Sequence, residues 1–69
     1  MKTTRFTDRT YRSPNGDWVK VTRDNHQRTF THAFGRRGEV TAHMIETLPF
    51  KWCWNWAEAE ARANRFLSL

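Results

Sequence analysis

The side chains in this 69-residue chain with the best-known site chemistry are three histidines and one cysteine. His26, His32, His43 and Cys53 could supply four metal ligands, or a thiol nucleophile with an imidazole base. Their spacing matches neither C-x2-C nor H-x3-H, the paired patterns that bring two ligands to one ion. A hairpin that pairs Gly35 with Gly38 sets His32 opposite Thr41 and His43 opposite Phe30. Both imidazoles then share a face, diagonal to one another, which is a weak pointer to zinc. No phosphate-cradling Gly-rich loop, nucleophile elbow or spaced carboxylate pair is present. The aspartates fall at turns or strand ends, where side-chain caps account for them. These residues predict no enzyme, no metal site and no cofactor.

The cations carry a stronger signal. Lys and Arg total 12 against 7 acidic residues, a net charge of +5, and nine of the twelve cations are arginine. Arginine stays charged and offers a planar fork of donors, which suits phosphate or carboxylate. Arg36 and Arg37 stand at a turn between Gly35 and Gly38, and a loop tip needs no such charge to fold. Arg12, Lys20, Arg23 and Arg28 come from strands or from the ends beside turns. The bland reading is a solvated strand face, because long cations also block edge pairing. The functional reading is a basic surface for a polyanion.

The stretch Lys51–Trp56, KWCWNW, holds three of the four tryptophans. As a strand it would put three indoles on one face, a platform for unpaired bases. As a joint it would seal the gap between the sheet edge and the helix start. The rest of the apolar inventory is thin for this length, which favours the seal. At least two of the three rings are expected in the core, with Trp52, beside Lys51, partly exposed.

The elements that must position these groups follow from turn residues and periodicity. Ser13-Pro14-Asn15-Gly16 predicts a hairpin between strands 6–12 and 17–23. A three-residue loop puts Arg9, Tyr11, Val19 and Val21 on one face and Trp18, Lys20 and Thr22 on the other. A two-residue Asn-Gly loop mixes apolar with polar, so the first register is preferred. Strands 28–34 and 39–47 follow, separated by Gly35–Gly38, and Pro49 ends the last. Asn55 is an N-cap for a helix over 56–67, whose apolar stripe is Trp56, Ala59, Ala63, Phe66 and Leu67. Glu58 can pair with Arg62 one turn on. The predicted fold is α+β in one small domain, 1–69: an antiparallel three- to four-stranded meander with one C-terminal helix packed on one face.

Two segments carry a family resemblance. Gly16-Asp17-Trp18-Val19-Lys20-Val21-Thr22-Arg23 resembles the second strand of AP2-type and integrase arm-type DNA-binding domains, and Trp54-Asn55-Trp56 followed by the Ala-Glu-rich run resembles the start of their helix. The resemblance implies a sheet that lies in the major groove with the helix behind it. Trp18, Lys20 and Arg23 would then face DNA, joined by Arg12. It covers about a third of the chain. Here about 20 extra residues separate the third strand from the helix, and Trp56 stands where the family has threonine.

The sequence therefore predicts a small basic nucleic-acid-binding module, DNA more than RNA, acting as an accessory or regulatory protein of a phage or mobile element. Its contact residues would be Arg12, Trp18, Lys20, Arg23, Arg28, Arg36 and Arg37. The alternative is a protein-binding inhibitor or adaptor that docks on an acidic surface of a host nucleic-acid-processing protein, since Trp and Arg are favoured interface anchors. Self-association through a strand edge is a third reading. No apolar run approaches the ~20 residues that cross a bilayer, the first residues lack a signal-peptide core, and a lone cysteine forms no internal disulfide. A cytoplasmic location and no membrane partner are expected.

Overall fold

The computed structural model describes residues 4–68. Four strands, β1 (Phe6–Arg12), β2 (Trp18–Asp24), β3 (Thr29–Gly35) and β4 (Met44–Pro49), are followed by one helix, α1 (Trp56–Leu67). The strands form one antiparallel sheet in the order β1-β2-β3-β4. This is the expected α+β meander with a C-terminal helix.

The first hairpin takes the three-residue loop. Ser13 N–H donates to Asp17 O at 2.9 Å, and Gly16 N–H donates to Ser13 O at 3.0 Å. Gly16 has φ +97°, the left-handed residue that such a loop requires. Arg12 therefore pairs with Trp18, Tyr11 with Val19 and Arg9 with Val21, the register expected from the apolar face. The second hairpin turns through residues 25–28. Asp24 Oδ1 accepts the N–H groups of His26 and Gln27 at 2.9 and 3.1 Å.

The fourth strand begins later than the expected residue 39. Residues 36–43 are a loop, because Glu39 folds back on it. Its carboxylate accepts the Arg36 N–H at 2.6 Å and lies 3.2 Å from His43 Nδ1, while its own N–H donates to Arg36 O. The consequence is a shift of register. His32 pairs with Glu46 and Phe34 with Met44, not His32 with Thr41. The shift is odd, so it inverts the faces. Met44, Glu46 and Leu48 lie on the helix side, and Ile45 and Thr47 on the other.

α1 covers the face that carries Val19, Val21, Phe30, His32 and Phe34. Ala59 and Ala63 are fully buried there, and their small side chains let the helix approach closely. Phe50, Trp56, Phe66 and Leu67 pack around this core. Trp56 meets Phe30 edge-on at 5.2 Å, and Phe66 lies 5.8 Å from Phe34. Asn55 Oδ1 accepts the Glu58 N–H at 2.9 Å, so the helix starts where its cap predicts. Arg62 pairs with Glu46 of β4 and not with Glu58.

The expected burial of the tryptophans is corrected. Trp56 is half-buried against the core and Trp52, at 69%, is on the exposed side as expected, but Trp54 is 58% exposed as well. The cause is a turn at Pro49, whose carbonyl accepts the N–H groups of Trp52 and Cys53 at 2.9 and 3.1 Å. The turn aims Cys53 inward, 2% exposed, and leaves its two neighbours outside.

Candidate nucleic-acid interface

The uncovered face of the sheet alternates with the core face. Its middle is threonine, not arginine. Asp8, Thr22, Thr31 and Thr47 form a row across all four strands. Thr22 donates to Asp8 at 2.7 Å, and the Thr31 and Thr47 hydroxyls meet at 3.1 Å. The cations stand at the two ends of the strands, so the expectation of an arginine-lined face gives way to two basic ends about 20 Å apart.

One end gathers Arg12, Trp18, Lys20, Arg36 and Arg37. Arg12 and Trp18 are cross-strand partners, and Lys20 lies two residues along on the same face. Trp18 packs on Gly35: a Cβ at that glycine would fall 2.1 Å from the indole, so only glycine admits the ring. The indole N–H donates to Glu39 O at 3.1 Å, which ties the 36–43 loop to β2. Arg37 is held next to this cluster. Its backbone N–H donates to Asp17 Oδ1 at 3.1 Å, and its stem covers Gly16, where a Cβ would come within 2.9 Å. Together Arg12, Trp18, Lys20 and Gly38 line part of an open cleft of ≈ 360 Å³. Among the described residues, Lys20 alone of these cations brings its charged group to a carboxylate, Asp8 at 3.9 Å.

The remaining predicted residues lie elsewhere. Arg23 is on the helix side, because it shares the parity of Val19 and Val21. Its guanidinium lies 5.0 Å from the Phe50 ring centre and 5.7 Å from that of Phe30, so it cannot join Trp18 and Lys20 on one surface. Arg9 is used similarly, 4.3 Å over Trp56. Arg28 is exposed, but at the opposite end of the sheet. It sits beside Lys51 and Trp54, the second of which the sequence weighs as one ring of a stacking platform but favours as core. A signal for them exists: cysteine is among the most buried residue types, so Cys53 inward implies its neighbours outward.

The histidines do not converge. Among the described residues no three His, Cys, Asp or Glu side chains are placed to hold a metal ion. His26 is exposed in a turn, and His43 packs edge-on to Phe34 at 5.2 Å. His32 is 1% exposed, and its Nε2–H donates to Ala59 O at 3.0 Å. Burial pushes its pKa down, while its Nδ1 has no partner among the described residues. Burial likewise pushes the Cys53 thiol up, so it is not an activated nucleophile. Hydrogen bonds from Arg36 N–H and then His43 hold Glu39 below the usual carboxylate range, which keeps it charged in its loop-closing role.

Comparison with known proteins gives no match: no family model, no curated protein and no solved structure is significantly similar to this chain.

Proposed function

We propose that this chain is a small nucleic-acid-binding module, DNA more than RNA, that works by binding and not by catalysis, as an accessory or regulatory protein of a phage or mobile element. The observation that carries this reading is the cluster at one end of the sheet. Arg12 and Lys20 line the cleft beside a half-buried indole, together with Glu39 of the loop. The Arg37 stem lies over the adjoining Gly16, and Arg36 stands in the same loop. Among the described residues only Lys20 of these cations forms an ion pair, with Asp8 at 3.9 Å. Surface cations without carboxylates attract phosphate and release its counterions. Four phosphate contacts, one from each of Arg12, Lys20, Arg36 and Arg37, give a slope of log K against log salt of about −3.6 on duplex DNA. Titration of a labelled duplex across a salt series measures it. A flat salt response, or no binding at low salt, would remove the proposal.

The rival, an inhibitor or adaptor docked on an acidic protein surface, draws on the exposed rings of Trp52 and Trp54. Nuclease treatment separates the two. A protein partner survives it in a pull-down, whereas copurified material absorbing at 260 nm does not.

A further inference from the structure

We infer that the far end of the sheet is a second contact, a cleft that takes one unpaired nucleotide of a single strand, its base stacked on Trp54 and its phosphate held by Arg28 and Lys51. The identity of the ligand rests on the nucleic-acid reading above. The site itself is separate from the Trp18 cluster.

The cleft measures ≈ 620 Å³ and is lined by Gln27, Arg28, Pro49, Phe50, Lys51 and Trp54. It combines an apolar floor, an open indole and two cations, with no carboxylate in its lining. Neither cation has an ion-pair partner among the described residues. A flat ring attached to an anion meets all three features. A duplex does not, because its base faces are already stacked on one another, whereas an unpaired base has a face free for an indole.

The backbone at Arg28 supports the same reading. Arg28 has φ +58°, the only described residue besides glycine in the left-handed region. Glycine or asparagine suits that closing position of a turn better than arginine. Such local strain persists where the surroundings over-determine it, and it gathers at functional sites. Here the surroundings are on view: Arg28 O accepts the Phe50 N–H at 2.9 Å, which joins the β2–β3 turn to the segment bearing Lys51 and Trp54. The chain keeps a long cation where glycine would be easier, beside an exposed ring.

The test uses a labelled oligothymidylate and a duplex of equal length at low salt, with the full chain and three variants. Trp54→Ala is expected to weaken the single strand about tenfold, the loss of one stacked base, and to leave the duplex unchanged. Arg28→Gly is expected to weaken the single strand too, without lowering the thermal midpoint, since glycine adopts that backbone more easily. Arg12→Ala with Lys20→Ala is expected to weaken the duplex. The inference is overturned if the duplex binds while oligothymidylate affinity ignores Trp54→Ala, or if Trp54→Ala and Arg28→Gly weaken both ligands equally. It is overturned as well if a protein is retained through Trp54 and oligothymidylate is not bound. If neither oligonucleotide binds the intact chain, the proposed function falls first and this site with it.

Discussion

The two faces of the sheet use the same residue type in opposite ways. On the helix side, Arg9 and Arg23 lie over the rings of Trp56, Phe50 and Phe30, where their stems and guanidinium planes complete the core. On the open side and its end loops, the guanidinium groups of Arg12, Arg36 and Arg37 form no ion pair among the described residues. Net charge alone therefore overstates the binding surface. What separates a structural arginine from an available one is strand parity, because residues one apart point to opposite faces.

The sharpest way to break the contrast is to attack the core side. Phe30 is fully buried and touches Phe50 and Trp56 at ring distances of 5.4 and 5.2 Å. Phe30→Ala is expected to destabilise the fold by about 3–5 kcal/mol, through lost transfer free energy and the cavity left behind. For a domain this small that is a large share of the whole. Denaturant titration followed by tryptophan fluorescence reads it. An open-face change of similar kind, Thr31→Ala, is expected to shift stability by no more than about 0.5 kcal/mol.

The parity of β1, β2 and β3 is legible in the sequence because local signals set it. Pro14, Asn15 and Gly16 fix the first turn, and only one register puts Tyr11, Val19 and Val21 together. Asn55 marks the helix start in the same local way. The start of β4 is not legible. It depends on Glu39 reaching back to Arg36 N–H and on Trp18 reaching across to Glu39 O, contacts made only once the sheet exists. An error there inverts a whole strand, which is why His32 meets Glu46 and not Thr41. The site shows the same division. Arg12, Trp18 and Lys20 come together because one hairpin carries them. The family resemblance misplaces Arg23 because it overrides strand parity, and a count of apolar residues misplaces Trp54 because it ignores the turn at Pro49.

A change of pH probes the covered face without mutation. Burial pushes the His32 pKa down, and the nearby Arg62 adds to that effect, while the hydrogen bond to Ala59 O and the nearby Glu46 oppose it. A base with a depressed folded pKa binds fewer protons folded than unfolded, so stability rises with pH in that window. Stability is expected to be full above the ordinary imidazole value near 6.5 and to fall as pH drops below it. The loss levels off once the folded-state pKa is passed. Glu46, held low chiefly by its hydrogen bond from Arg62, adds a separate loss only at more acid pH, in the range where free carboxylates titrate. Chemical denaturation at a series of pH values measures both. His32→Gln removes the upper slope, and its persistence in that variant would assign it to another group.

The finest test exchanges the two kinds of arginine. Arg23→Ala removes a guanidinium from over two rings and uncovers apolar surface, so a loss of about 1 kcal/mol is expected. Arg12→Ala removes an exposed cation with no acidic partner among the described residues, and a change within about 0.5 kcal/mol is expected. Binding should run the other way. Arg12→Ala lowers duplex affinity and makes the salt slope shallower by about one contact, or roughly 0.9. Arg23→Ala leaves that slope intact, because its guanidinium faces the helix side. The crossing matters more than either value. If Arg23→Ala flattened the salt response and Arg12→Ala did not, the polyanion would lie against the helix side, and the open face would be no more than the outside of the fold.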